Sequence, residues 1–176
     1  MSLIQKLKVD HLIFGEIAEM ALSRVLREGD GSSRIDVVFD VYRDLPIKSV
    51  ERELRSEDFI TFKNVSSGQK VKQLFRSFLQ NSQNKTSLIK FIVDHWSKLS
   101  CQSKLQHKTL YVTCGKHCYK LTTKSAQEEE ELQSDQEETD TCLLLHARHV
   151  TKEPFNAIVI SSEDTDVHIL CLGFSK

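Results

Sequence analysis

Glycine is scarce in this 176-residue chain and the cysteines follow no regular pattern, and each feature excludes a class of site. The six glycines form no Gly-rich loop of the kind that holds a phosphate group. The five cysteines are an odd number at irregular spacings, so we expect no disulfide framework and an intracellular setting, nuclear or cytoplasmic. No signal peptide or apolar run of membrane length is present, which predicts no membrane partner. No Ser/His/Asp or Cys/His arrangement typical of a nucleophilic enzyme is recognisable either.

The chain also lacks an excess of charge of one sign, since its formal net charge is −1. The charges are nevertheless uneven, with ten lysines and arginines against five acidic residues between residues 43 and 90. Residues 124–140 hold eight acidic residues and one lysine. The basic segment can follow a phosphate backbone, with Arg52, Lys70 and Lys72 as candidate nucleic-acid contacts. The alternative is that these side chains form the solvated face of amphipathic helices.

Helical and strand-like segments alternate along the chain. Apolar spacing predicts helices over residues 14–26, 71–79 and 87–99, and a further helix that begins near Glu138. β-branched and apolar runs predict core strands at Ile35–Phe39, Leu110–Cys114 and Ala157–Ser161, with residues 117–121 pairing as a hairpin. This alternation predicts a single α/β domain with a mainly parallel sheet.

Two acidic pairs flank the last predicted helix–strand unit. Glu138-Thr139-Asp140 opens the helix, and Asp164-Thr165-Asp166 follows the predicted strand at Ala157–Ser161. A helix start and a strand end meet at one edge of a βαβ sheet, so we expect the carboxylates to converge there and to bind Mg²⁺ or Mn²⁺. Two such ions about 3.5–4 Å apart would activate water for phosphodiester hydrolysis. The alternative is that acidic residues simply cap a helix or follow a strand in a turn.

Lys48 and Arg55 are seven residues apart, which places them on one face of a predicted helix, two turns from each other. Two cations in this position can neutralise the charge that builds on a transferred phosphoryl group. The alternative is a solvated helix face on which they pair with Glu51 and Glu53.

These motifs together resemble the flap-endonuclease branch of the PIN-like nuclease superfamily. The closer resemblance is to a set of metazoan proteins, often tied to mobile elements, that carry a divergent form of that core. Val38-Phe39-Asp40 is similar to the family's second core strand, whose terminal Asp faces the active site. The segment from Lys48 to Arg55 resembles the start of its helical gateway, which contacts the scissile phosphate. The two acidic pairs resemble the metal-ligand pairs of the family, in its order and context.

The resemblance implies a PIN-like three-layer α/β/α domain over residues 1–176, with residues 56–107 as a helical, arch-like insertion and residues 124–136 as an acidic mobile loop. It implies divalent-metal-dependent cleavage of DNA or RNA, with DNA favoured, by an endonuclease or exonuclease. The implied metal ligands are Asp40, Glu138, Asp140, Asp164 and Asp166. The implied catalytic residues are Lys48 and Arg55.

The resemblance is incomplete at both ends, which keeps a second hypothesis open. The family's fold opens with a strand that carries an early Asp, and Asp10 is a poor match for it. The family also places a further Asp well beyond the Asp-x-Asp pair, whereas this sequence ends at Lys176. We therefore expect a truncated domain. The alternatives are a non-catalytic nucleic-acid or protein-binding module and an inactive α/β fragment.

Two cysteine–histidine groups offer a zinc alternative. Their members are Cys114, His117 and Cys118 in one group and Cys142, His146 and His149 in the other. Structural zinc takes four ligands at tight loop spacings, and each group has only three candidates. The zinc hypothesis is therefore weaker than the carboxylate hypothesis.

Overall fold

A computed structural model of the chain describes residue 4 and residues 12–41, 65–71, 75–135, 139–162 and 164–174. The helices in chain order are α1 (Phe14–Glu28), α2 (Phe75–Phe78), α3 (Ser82–Trp96), α4 (Leu99–Gln102), α5 (Thr139–Val150) and α6 (Thr165–Phe174). The strands are β1 (Arg34–Val37), β2 (Thr109–Cys114), β3 (His117–Leu121) and β4 (Ala126–Glu128). Single 3₁₀ turns lie at Ser103–Leu105 and Glu130–Leu132.

The strands form one open sheet in the order β1-β2-β3-β4. β1 runs parallel to β2, whereas β2–β3 and β3–β4 are antiparallel hairpin pairs. Gly115 allows the tight β2–β3 turn because its φ of 59° is in the left-handed region that other residues avoid. The described fold is therefore a mixed α/β arrangement, and the prediction of a mainly parallel sheet is wrong. The sheet is not mainly parallel because β2, β3 and β4 follow one another through short turns, and strands joined by short turns run antiparallel.

Side chains alternate between the two faces of the sheet because successive residues of a strand point to opposite sides. Ile35 and Val37 of β1 and Leu110 and Val112 of β2 face the helices α1 and α3, with which they form the main apolar core. Tyr111 of β2 faces the other way, toward α5. Helices therefore lie on both faces of the described sheet.

The helix boundaries follow from local capping. Asn81 accepts a hydrogen bond from the backbone N–H of Asn84 at 3.0 Å, which starts α3 five residues before the predicted helix. At α1, the Glu16 carboxylate accepts a hydrogen bond from the backbone N–H of Ile13 at 3.0 Å, and the helix ends before Gly29. The predicted α1, α3 and α5 therefore exist, with shifted ends.

The predicted third core strand at Ala157–Ser161 is wrong. The described residues 157–161 form no strand, and Val159 is 91% exposed. An apolar, β-branched run has strand propensity, but a core strand also needs a neighbouring strand and a covering layer, and the described part of the chain supplies neither to this segment. The helix α6, which begins at Thr165, was not predicted.

Two segments that were predicted as an insertion and as a loop contain regular structure that packs with the rest of the described fold. α3, which lies within the predicted arch-like insertion of residues 56–107, packs against α1 and β2 in the main core. The predicted acidic loop of residues 124–136 contains β4 and the 3₁₀ turn at Glu130–Leu132, in which Leu132 is buried. The helix predicted over residues 47–55 lies outside the described residues.

Candidate metal centres

Three of the predicted metal ligands lie together. Asp140 is in the first turn of α5, Asp166 is in the first turn of α6, and Asp164 directly precedes α6. One carboxylate oxygen from each residue lies within 4.8 Å of the others. Asp140 is half-buried, whereas Asp164 and Asp166 are exposed. A donor set made only of carboxylate oxygens suits a hard divalent cation such as Mg²⁺ or Mn²⁺.

The acidic group, as we call Asp140, Asp164 and Asp166, meets at two helix starts and not at a sheet edge. α6 packs against α5, which brings the two N-termini close. Asp164 caps α6, because its Oδ1 accepts a hydrogen bond from the backbone N–H of Asp166 at 3.0 Å. The positive ends of both helix dipoles offset part of the repulsion between the carboxylates. The structure thus brings three of the five predicted ligands together, at two helix starts and not at the predicted sheet edge.

The other predicted site residues lie apart from this group or outside the described residues. Asp40 is half-buried just after β1 and is not a member of the acidic group. Lys70 is exposed and forms an isolated β-bridge with Ile13. The remaining predicted residues, which lie outside the described residues, are Lys48, Arg52, Arg55, Lys72 and Glu138.

A second group with metal-binding potential lies at the edge of the helical layer. Glu19 of α1, His95 of α3 and Cys101 of α4 place one ligand atom each within 4.8 Å of one another. His95 Nε2 lies 3.2 Å from Glu19 Oε1, and Cys101 Sγ lies 3.4 Å from the same oxygen. The Lys104 ammonium pairs with the other carboxylate oxygen, Oε2. This Glu/His/Cys group could hold a metal ion.

The electrostatics of this second group centre on Glu19. Burial acts to raise the pKa of Glu19, but hydrogen bonds from Lys104, His95 and Cys101 outweigh it and lower that pKa. Burial and the hydrogen bond to Glu19 raise the pKa of the Cys101 thiol to about 11. Glu19 is therefore ionised and Cys101 is a protonated thiol at neutral pH.

Sequence reasoning missed the Glu/His/Cys group because its members are distant in the chain. Glu19 is 76 residues from His95 and 82 residues from Cys101, so no motif spacing connects them. His95 and Cys101 are six residues apart, which is outside the usual spacings of a zinc knuckle. Only the packing of α1 against α3 brings them together.

A network of charged side chains, which we call the β1–α5 network, holds α5 on the sheet. Arg34 donates two hydrogen bonds to Asp36, at 2.9 and 2.8 Å, and its guanidinium lies 3.9 Å from the centre of the Tyr111 ring. Asp36 Oδ1 lies 2.7 Å from His146 Nδ1, and Arg34 Nη1 lies 2.9 Å from His149 Nδ1. The network therefore fixes the position of α5, which carries Asp140 in its first turn.

The two zinc groups suggested by the sequence are not assembled. Cys114 packs with the main core, whereas Cys118 packs with Tyr111 and Leu132 on the opposite face of the sheet. His146 and His149 are engaged in the β1–α5 network. Among the described residues, the groups of three or more potential ligands are the acidic group and the Glu/His/Cys group.

The chain matches no model of a known protein family, no curated protein and no solved structure. Among the helices that the structure describes, none combines the length and apolar character needed to cross a membrane.

Proposed function

We propose that this protein is a divalent-metal-dependent nuclease with a PIN-like core, and that Asp140, Asp164 and Asp166 hold the metal ion. The observation that carries the proposal is the convergence of these three carboxylates within 4.8 Å. Two of the three are exposed, which suits a polymeric substrate that cannot enter a closed pocket.

The side chains around the acidic group fit a hydrated Mg²⁺ or Mn²⁺ ion. All three donors are carboxylate oxygens, and exposure of the group leaves room for the water ligands that Mg²⁺ retains. The residue before Asp140 is Thr139, whose Oγ1 is buried and has no hydrogen-bond partner among the described residues.

Two of the three carboxylates are positioned by the contacts of their helices. A bound divalent ion supplies an activated water and stabilises the leaving oxygen of the phosphodiester. Asp140 is held by α5, which the β1–α5 network fixes to the sheet. Asp164 uses Oδ1 to cap α6 and has its second oxygen for the ion. Lys48 and Arg55 remain the proposed contacts to the scissile phosphate, on the strength of the family resemblance.

A nucleic-acid substrate follows from the same resemblance and from the basic segment between residues 43 and 90, in which Lys70 is exposed. One observation favours the second hypothesis, a non-catalytic nucleic-acid or protein-binding module. Of the four implied ligands that the structure describes, Asp40 stands outside the acidic group and the other three form it.

The proposal is tested by calorimetric titration of Mn²⁺ into the native chain and into an Asp164→Asn/Asp166→Asn variant. Asn caps helices as well as Asp does, so the variant should keep α6 while losing two charged ligands. We expect saturable Mn²⁺ binding by the native chain and none by the variant, with equal circular dichroism spectra. Mg²⁺-dependent cleavage of flap and single-stranded DNA should be lost in the same variant.

The matched control is Asp30→Asn/Glu130→Gln, which removes two acidic charges from exposed positions outside the group. It should bind Mn²⁺ and cleave as the native chain does. No Mn²⁺ binding by a folded native chain would exclude the metal site. Nucleic-acid binding that persists in chelator without cleavage would instead establish the binding module.

A further inference from the structure

We infer that Glu19, His95 and Cys101 form a second, separate metal site that takes Zn²⁺. The inference does not depend on the proposed function, because the Glu/His/Cys group shares no residue with the acidic group. It rests on the identity of the three donors, on the distances between them and on their burial.

Two of the three donor–donor separations match the edges of a tetrahedral zinc site. Zinc bonds of about 2.3 Å to sulfur and about 2.0 Å to nitrogen and oxygen place N and O ligands about 3.3 Å apart, and S and O ligands about 3.5 Å apart. The observed separations are 3.2 Å for His95 Nε2 to Glu19 Oε1 and 3.4 Å for Cys101 Sγ to Glu19 Oε1. The third pair, His95 and Cys101, has its ligand atoms within 4.8 Å of each other.

The chemistry of the three donors also favours zinc. Thiolate and imidazole are ligands of borderline and soft metals, while Mg²⁺ prefers oxygen, so the two groups in this protein differ in metal preference. A thiol is a weak hydrogen-bond donor, which makes it an unusual partner for a carboxylate if hydrogen bonding were its only role. His95 is 8% exposed and Cys101 is fully buried, so both donors are held in place by the core.

Zinc binding has a defined proton balance. Cys101 loses its thiol proton to solvent and binds as the thiolate. His95 binds through Nε2 in its neutral form, with the ring proton on Nδ1. The thiolate and the Glu19 carboxylate together neutralise the two charges of the ion, and no redox step is involved. Glu19 binds through Oε1 alone because Lys104 pairs with Oε2.

The proposed zinc site has three protein ligands and leaves one coordination position open. The Glu19 side chain is 34% exposed, so solvent can supply a water as the fourth ligand. His95 Nδ1 is buried and has no hydrogen-bond partner among the described residues, although zinc-bound histidines usually donate through their second nitrogen. The adjacent Lys104 ammonium also disfavours a cation. We therefore expect weaker zinc binding than in a closed four-ligand structural site.

Zinc at this position would join three helices of one layer. α1, α3 and α4 each supply one ligand, and α1 and α3 pack directly on each other. An ion that binds the folded chain and not the unfolded chain stabilises the folded chain by mass action. We expect Zn²⁺ to raise the melting temperature of the protein and to order the edge of the helical layer.

The experiment is a titration with Co²⁺, a spectroscopic substitute for Zn²⁺, followed by absorption and then by displacement with Zn²⁺. The native chain should develop a thiolate-to-cobalt charge-transfer band and intense visible bands, which indicate tetrahedral coordination. Cys101→Ser should lose the charge-transfer band. The matched control is Cys142→Ser, because Cys142 is also a buried cysteine whose pKa burial raises to about 11.

Further variants keep the result interpretable. If Cys101→Ser fails to fold, Glu19→Gln at the partly exposed ligand should still weaken Co²⁺ and Zn²⁺ binding. Asp164→Asn/Asp166→Asn should leave the cobalt spectrum unchanged, which separates this site from the acidic group. Absence of a charge-transfer band in the native chain, or a band that survives Cys101→Ser and disappears in Cys142→Ser, would overturn the inference.

Discussion

The two faces of the sheet are covered by different kinds of packing. On one face, α1 and α3 bury a contiguous apolar core whose members include Phe14, Ile17, Leu22, Leu88, Ile92, Trp96, Leu110, Val112 and Leu121. On the other face, the apolar cluster consists of Tyr111, Cys118, Leu132 and the partly buried Leu145. β1 and α5 contact each other on this face through the polar and charged side chains Arg34, Asp36, His146 and His149.

The apolar face mainly stabilises the fold, whereas the face with the β1–α5 network mainly determines where α5 lies. Apolar burial is non-directional and roughly proportional to area, so it stabilises the α1–α3 face without fixing a precise geometry. Hydrogen-bonded charges have preferred distances and angles, so the β1–α5 network specifies where α5 and its first residues lie. The acidic group depends on that position, because Asp140 is in the first turn of α5. The charged face is therefore the one that places the proposed active site.

The largest effect is expected from a substitution that disrupts the β1–α5 network. Asp36→Ala leaves Arg34 and His146 without their shared acceptor, so we expect a loss of about 3 kcal/mol in the free energy of unfolding at neutral pH. Burial acts to raise the pKa of Asp36, but hydrogen bonds from His146 and Arg34 outweigh it and lower that pKa below its ordinary value of 3.8. The stabilisation is thus present above pH 3.8 and is lost as the pH falls through the lower, folded-state value.

Urea unfolding of the native chain and of Asp36→Ala across this pH range checks both parts. The difference between them should be largest near neutral pH and should shrink in acid. Asp30→Ala, at an exposed position, should change stability by less than about 0.5 kcal/mol. An Asp36→Ala difference that is independent of pH would show that the carboxylate does not stabilise the fold through its charge.

A core substitution on the apolar face should cost a similar amount but behave differently with pH. Leu88 is fully buried between α1 and the sheet, so Leu88→Ala should destabilise the chain by about 2–4 kcal/mol through lost burial and a residual cavity. The milder Ile92→Val should cost about 0.5–1.5 kcal/mol. Because no titratable group is removed, the unfolding differences should be constant with pH. A strong acid dependence would mean that the two faces are coupled.

Much of the fold was predictable where local pattern and environment agree. The helices α1 and α5 and the strands β1, β2 and β3 lie close to their predicted positions, because each has an apolar face of the right period or a β-branched run next to a turn. Glu129–Leu132 and the rest of the acidic run were expected to be a loop. The acidic composition of this run did not indicate that Leu132, in the 3₁₀ turn at Glu130–Leu132, would be buried.

The predictions that failed concern contacts between residues that are distant in sequence. Ala157–Ser161 has the composition of a buried strand, but composition cannot specify a neighbouring strand, and the segment is largely exposed. The capping signal at Asp164, followed by apolar residues from Val167 onward, could have identified α6. The Glu/His/Cys group had no signal of this kind, since only tertiary packing brings Glu19 to His95.

The smallest predicted effect separates capping from metal binding within the acidic group. Asp164→Ala removes the acceptor for the backbone N–H of Asp166, so we expect a loss of about 1 kcal/mol in the free energy of unfolding without metal. Asp164→Asn keeps the cap and should be within about 0.5 kcal/mol of the native chain. Both variants remove one carboxylate from the candidate ion site, so both should bind Mn²⁺ more weakly. If Asp164→Asn binds Mn²⁺ as the native chain does, Asp164 acts as a helix cap and not as a ligand, whereas equal weakening in both variants assigns its charge to the ion.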